Sequence, residues 1–157
     1  MYKTPSHLPE AGRNELVRTL NARLVDGLDL HGDLKVAHWN VRGLQFPALH
    51  PLFEQIATEL AAHNDAIAER AVTLGGLAVG TSRHVARTSR LADYPLDVTR
   101  DSQHVQLLAD RLDTYLEGLR ESRGAAETQA DTDTVDLLTG TISAFEKHAW
   151  FLRATLA

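Results

Sequence analysis

The chain has 157 residues, 43% of them hydrophobic and 24% charged, with a formal net charge of −5. This length and composition are typical of an ordinary globular protein, so we expect residues 1–157 to form a single domain with its own core. Cysteine is absent, which excludes disulfides, thiolate zinc sites, iron–sulfur clusters and thiol catalysis, so any metal ion must be bound by nitrogen and oxygen.

The start of the chain does not resemble a targeting or membrane segment. Residues 1–12 include Pro5 and Pro9 and no apolar run, so we expect a flexible N-terminal segment. No stretch reaches the roughly 18 apolar residues that a membrane span requires. We therefore expect a cytoplasmic protein.

Leucines at every fourth position predict a first long helix over residues 13–40. A second helix is predicted to begin at Pro47 or Pro51 and to end at Leu74, where two glycines follow. Both helices carry an apolar stripe suited to packing in a bundle.

Residues 75–100 are rich in Gly, Thr, Ser and Arg and predict a long connection, with one short helix around residues 82–90. A third helix is predicted from Asp101, a candidate N-cap, to Arg123. Gly124 is expected to stop this helix.

The last helix is predicted from Asp131 or Asp133 to Leu156, and the sequence contains no strand-like alternation. Four long helices with a long crossover between the second and third are typical of a ferritin-like bundle rather than a simple up-and-down bundle. We therefore predict an all-α, ferritin-like four-helix bundle.

Four polar residues of the second helix share one face. With His50 at zero, Glu54 lies at about 40°, Asp65 at about 60° and Glu69 at about 100°. The solvated side of any helix would give a similar pattern. However, His50 and Asp65 are 15 residues apart, about 22 Å along the axis, whereas ligands lie about 2 Å from a shared metal ion. One chain cannot close such a site.

A second copy of the helix, antiparallel about a two-fold axis, could close it. In one register His50 faces the partner's Glu69 while Glu54 faces the partner's Asp65, which makes two equivalent sites at one interface. The residues between them are small and would allow close approach: Ala57, Thr58, Ala61 and Ala62. An alanine-rich exposed helix of high intrinsic propensity is the alternative interpretation.

His38 lies near the end of the first helix, 12 residues before His50. A turn containing glycine separates the two, so both imidazoles can reach the same end of the bundle. Imidazole and carboxylate without thiolate suit iron, with zinc or manganese as substitutes. A lone histidine near a helix end is more often a structural hydrogen-bonding group, but a second histidine and two facing carboxylates favour a metal site.

The segments AHWNVRG, ALH, HND and AERAVTLGG resemble the signature of the Dps family of mini-ferritins, and the helical plan fits nearly the whole chain. The resemblance implies an oxidation centre between two subunits, with His38 and His50 from one chain and Asp65 and Glu69 from its partner. It also implies a homo-oligomer, which we expect to be a dodecamer forming a hollow shell.

Two further residues near this centre have open roles. Glu54 stands where many members of the family carry aspartate, so it is either a direct ligand or a water-mediated neighbour. Trp39 is similar to the family's tryptophan beside the centre. It could pack the site or quench a stray radical, and packing is the simpler interpretation.

A second acidic set surrounds the start of the last helix: Glu127, Asp131, Asp133 and Asp136. Acidic residues stabilise a helix N-terminus in any protein. In the family that this chain resembles, similar positions line pores through which cations reach the cavity, and Asp136 is the leading candidate. The other histidines assemble into no site that the sequence reveals: His7, His31, His63, His84, His104 and His148.

The resemblance implies a ferroxidase that oxidises Fe²⁺, preferably with hydrogen peroxide rather than dioxygen, and stores ferric mineral as protection against oxidative stress. A DNA-compacting nucleoid protein is the chief alternative, because several members of the family bind DNA through lysine-rich tails. This chain offers only Lys3 and Arg13 at its start and no basic extension after the last helix. A patch of Arg83, Arg87 and Arg90 is conceivable, but we expect DNA binding to be weak or absent.

Two other classes are less favoured. A conventional ferritin centre inside one bundle needs Glu-x-x-His pairs, and no glutamate here is followed by histidine three positions later. An inert helical interaction module is the weakest alternative.

Overall fold

The computed structural model describes residues 2–157, and those residues form helices and connections without a strand. In chain order the helices are α1 (Glu10–Asn40), α2 (Phe46–Thr73), α3 (Ser82–Thr88), α4 (Asp101–Thr128) and α5 (Thr132–Leu156). α1 pairs with α2, α4 pairs with α5, and α1 also packs on α4. The predicted all-α bundle, with a short helix in the crossover between its second and third long helices, is confirmed.

Two predicted ends of the third long helix were wrong. Gly124 does not stop α4, which continues to Thr128, because a single glycine costs a helix only about 1 kcal/mol. The chain reverses instead at Ala130, whose φ is 56°. Asp101 is the first helical residue rather than the cap, and its carboxylate accepts hydrogen bonds from the backbone N–H groups of Gln45 (3.1 Å) and Ser102 (2.8 Å).

The chain before α1 runs beside the end of α2. The Tyr2 hydroxyl donates to the carbonyl of Val72 at 2.6 Å, and the Thr4 hydroxyl donates to the carbonyl of Thr73 at 2.7 Å. α1 begins at Glu10, three residues earlier than predicted. The expected flexibility of residues 1–12 stays a prediction, and Met1 lies outside the described residues.

The apolar stripes of the four long helices meet in one core that includes Phe53 of α2, Tyr115 of α4 and Phe145 of α5, all fully buried. Tyr115 and Phe145 pack edge to face with ring centroids 5.7 Å apart. Among residues 2–157, no helix combines the length and the hydropathy that crossing a lipid bilayer would require.

Buried ion pairs hold the crossover against the bundle. Arg111 of α4 donates through Nε to Asp33 of α1 at 2.9 Å, and its Nη2 donates to the carbonyls of Ala92 and Asp93 at 2.8 and 2.9 Å. These contacts connect the long connection to two helices, so its path is determined by packing as well as by chain length.

Candidate metal centre

The two histidines predicted as ligands stack at one end of the bundle. His38 lies in the last turn of α1 and His50 in the second turn of α2, with ring centroids 3.8 Å apart and planes at 21°. Phe46 stacks on the other side of His50 at a centroid distance of 5.0 Å. The turn between the helices uses Gly43, whose φ of 139° favours glycine.

Reciprocal hydrogen bonds hold the two imidazoles in place. His38 Nδ1 lies 2.8 Å from the carbonyl oxygen of His50, and His50 Nδ1 lies 2.9 Å from the carbonyl oxygen of His38. A carbonyl oxygen only accepts, so each Nδ1 must carry a hydrogen. Each Nε2 is therefore left to bind a metal ion. In metal-bound histidines, a hydrogen bond from the other ring nitrogen commonly fixes the tautomer in this way.

Glu54 lies beside this pair, one turn after His50. Its carboxylate is 3.6 Å from His38 Nε2 and forms a short hydrogen-bonded ion pair with Lys35 of α1. The hydrogen bond from Lys35 lowers the pKa of Glu54, which keeps the carboxylate anionic. A nitrogen ligand and an anionic oxygen therefore point toward the same space.

Asp65 and Glu69 lie further along α2, and both are exposed. Within residues 2–157, a single chain brings no three His, Asp or Glu side chains into an arrangement that could hold a metal ion. The chain by itself thus presents two separate parts, the His38–His50–Glu54 group and the exposed Asp65 and Glu69.

The small residues between these parts are not all on the exposed face. Thr58, Ala61 and Ala62 are exposed, whereas Ala57 is 1% exposed and packs in the core. The expectation that Ala57 faces a partner helix was wrong, because its direction on α2 lies at the edge of the buried stripe.

Trp39 and Lys35 lie close to His38 on α1. Trp39 is 67% exposed, and the Lys35 ammonium lies 5.8 Å from its ring centroid. Lys35 itself was missed by the sequence reasoning. Its position one turn before His38 on the same helix was the available signal.

The acidic set around the start of α5 divides into two kinds. Asp131 is 1% exposed, accepts two hydrogen bonds from Arg70 at 2.7 and 2.9 Å, and is also bonded by the Thr134 hydroxyl. It occupies the N-cap position of α5, and its buried carboxylate neutralises Arg70, which argues against its expected role in a pore. Three members of the set remain exposed: Glu127, Asp133 and Asp136.

Known proteins match this chain in sequence and in fold. A family model described as the ferritin-like domain matches residues 17–157. The chain is 35% identical to the "DNA protection during starvation protein" of Agrobacterium fabrum, over 98% of this chain and 94% of that protein. The chain belongs to the Dps family of ferritin-like proteins. The family predicted from the sequence motifs is therefore confirmed.

Solved Dps structures have the same fold. DpsC from Streptomyces coelicolor superimposes with a TM-score of 0.95 at 31% identity, covering 99% of this chain and 91% of that one. The Dps protein from Vibrio cholerae gives a TM-score of 0.92 at 25% identity, covering 100% and 99% of the two chains. That protein is described as a member of a superfamily of ferritin-like diiron-carboxylate proteins.

Proposed function

We propose that this Dps protein oxidises Fe²⁺ at centres shared between two copies of the chain and stores the ferric product inside a hollow shell. The arrangement of His38 and His50 is the observation that carries the proposal. Their Nδ1 atoms are occupied by each other's backbone carbonyls, so each Nε2 is left to bind a metal ion, and that of His38 lies 3.6 Å from the Glu54 carboxylate. Asp65 and Glu69 of the partner subunit would supply the remaining oxygen ligands.

The ligand set suits the chemistry of iron oxidation. Imidazole nitrogen binds Fe²⁺, and hard carboxylate oxygens stabilise Fe³⁺. Two Fe²⁺ ions each give one electron to hydrogen peroxide, whose O–O bond breaks to form two hydroxide equivalents, so no hydroxyl radical is released. We propose peroxide as the preferred oxidant over dioxygen, with zinc or manganese as substitutes for iron at the centre.

Storage requires an assembly and a route into it. We propose a dodecameric shell, in the cytoplasm, whose pores carry the exposed carboxylates Glu127, Asp133 and Asp136. Carboxylates that converge around an opening raise the local concentration of Fe²⁺. The bidentate pair with Arg70 removes Asp131 from this proposal.

The test measures native mass and iron oxidation on the same samples. Wild-type protein should sediment as a dodecamer and should oxidise Fe²⁺ rapidly on addition of peroxide, followed by the growth of ferric absorbance. H50A should lose most of the oxidation rate while keeping its assembly, and H84A, which removes a half-buried histidine of α3 outside the centre, should match wild type. Rapid iron oxidation by protein that sediments as a monomer would refute the proposal.

The expectation of weak DNA binding stays part of the proposal. Of the three arginines that could form a patch, Arg90 donates to the buried carboxylate of Asp26 at 2.9 Å, which leaves Arg83 and Arg87 on α3. Two cations per chain offer little phosphate affinity at physiological salt. A gel shift at low and physiological salt checks this, and binding that persists at physiological salt would favour the nucleoid alternative.

A further inference from the structure

A second group of potential metal ligands lies between α2 and α5. Glu59 and His63 are one turn apart on α2, at about 180° and 220° on the scale that places His50 at zero, so they lie on a different face from the shared centre. His148 of α5 faces them across the helix pair. None of the three belongs to the proposed iron-oxidising centre.

The His63 ring is held in one orientation and one tautomer. Its Nδ1 lies 3.0 Å from the hydroxyl oxygen of Thr141, and that hydroxyl already donates to the carbonyl of Leu137 at 2.9 Å. Thr141 must therefore accept, so His63 Nδ1 carries the hydrogen and Nε2 carries the lone pair. Phe145 packs edge-on against the ring at a centroid distance of 5.4 Å.

Glu59 is held by a buried histidine. His148, which is 2% exposed, places its Nε2 2.6 Å from Glu59 Oε2. The Glu59 side chain is 38% exposed, so its other oxygen is accessible from solvent. His148 orients the carboxylate through Nε2, as the hydrogen-bonding neighbours of metal ligands do.

We propose that Glu59 and His63 bind a divalent first-row transition-metal ion within a single chain, with His148 and Thr141 as positioning residues. Residues four apart on a helix have Cβ atoms about 5–6 Å apart, close enough for a carboxylate oxygen and an imidazole nitrogen to share one ion. Water would complete the coordination. With two protein ligands, this site binds and releases its ion more readily than one with four.

The state of His63 suits this role. A nitrogen ligand must offer a lone pair, and the hydrogen bond of Nδ1 to Thr141 leaves that lone pair on Nε2 of His63. A carboxylate and a neutral imidazole form a donor set that suits Fe²⁺, Mn²⁺, Co²⁺ or Zn²⁺ rather than Ca²⁺.

The test uses the full-length chain carrying H38A/H50A, so that the shared centre does not contribute. Co²⁺ binding is measured by equilibrium dialysis and by the visible absorbance of the bound ion. Adding H63A or E59Q should lower the count by about one Co²⁺ per chain and remove the corresponding absorbance. Adding H7A, an exposed histidine elsewhere, should change neither readout.

E59Q keeps an oxygen that can accept from His148, so it preserves the packing while removing the charge. T141V should weaken Co²⁺ binding without abolishing it, because it releases the ring of His63. Circular dichroism establishes whether each variant is folded. If H63A does not fold, Co²⁺ binding by E59Q alone tests the proposed site. Equal Co²⁺ counts and equal spectra for H38A/H50A and for its E59Q derivative would overturn the inference.

Discussion

Because the proposed centre is divided between two subunits, variants with complementary defects should restore each other's activity. One variant, H38A/H50A, lacks the nitrogen ligands of the proposed iron-oxidising centre, and the other, D65A/E69A, lacks its distant carboxylates. Each should be nearly inactive when assembled alone. When the two are dissociated, mixed in equal amounts and reassembled, activity should return, because a centre built from the intact half of each chain is complete.

The expected recovery follows from the geometry. The two halves of the centre are 15 residues apart on α2 between His50 and Asp65, about 22 Å along its axis, so neither chain can complete a site alone. Random pairing makes about half of the two-fold pairs mixed, and a mixed pair holds one complete centre and one that lacks both halves. The mixture should therefore reach about a quarter of the wild-type oxidation rate.

The assay is the initial rate of Fe²⁺ oxidation after addition of peroxide, with distinct tags on the two variants to measure how many mixed particles form. A mixture of H38A with H50A is the matched control. Both histidines of a centre come from the same chain, so this mixture should stay inactive. Mixed particles of the complementary pair without activity, or recovery in the control mixture, would refute the division of the centre between chains.

Three predictions concern stability, measured by denaturant unfolding at constant protein concentration. R111M should cost about 3–5 kcal/mol because it leaves Asp33 buried without its partner, and D33L/R111M should regain the part of that loss due to Asp33 but not the part due to the carbonyls of Ala92 and Asp93; equal loss in both variants would contradict the reasoning. G43A should cost about 1–3 kcal/mol, since φ is 139° and an added Cβ would lie 2.2 Å from Asp101 Oδ2; an unchanged midpoint would count against it. D131A should cost about 2 kcal/mol by removing the buried carboxylate that pairs with Arg70, which keeps its hydrogen bond to Thr134, without changing the rate of iron entry; slowed entry in a folded variant would restore its pore role.

Much of the fold could be predicted from the sequence because helix formation depends on local periodicity. Leucines spaced four apart predicted α1. Of the two predicted starts of α2, Pro47 lies one residue from the observed start and Pro51 five, and the predicted end at Leu74 lies one residue from the observed end. Gly124 does not end α4, because a glycine inside a long helix is tolerated when packing on either side holds the helix together.

The candidate site was partly predictable for a similar reason. The spacing of His50 and Asp65 indicated that one chain cannot close the centre, and the resemblance to the Dps family implied His38, His50, Asp65 and Glu69 as ligands. Both the ligand set and its sharing between subunits stay predictions. The contact of Lys35 with Glu54 joins residues 19 positions apart, and its detection depends on how α1 packs on α2.

The sequence by itself determined the helices, the chemistry of the candidate ligands and the family, because these depend on residue type and on spacing within a helix. Only the tertiary structure decided that Asp131 is buried against Arg70, that Ala57 belongs to the core, and that His148 orients Glu59. Those contacts join residues up to 89 positions apart. They depend on the rotation and depth at which two helices pack, which no local pattern specifies.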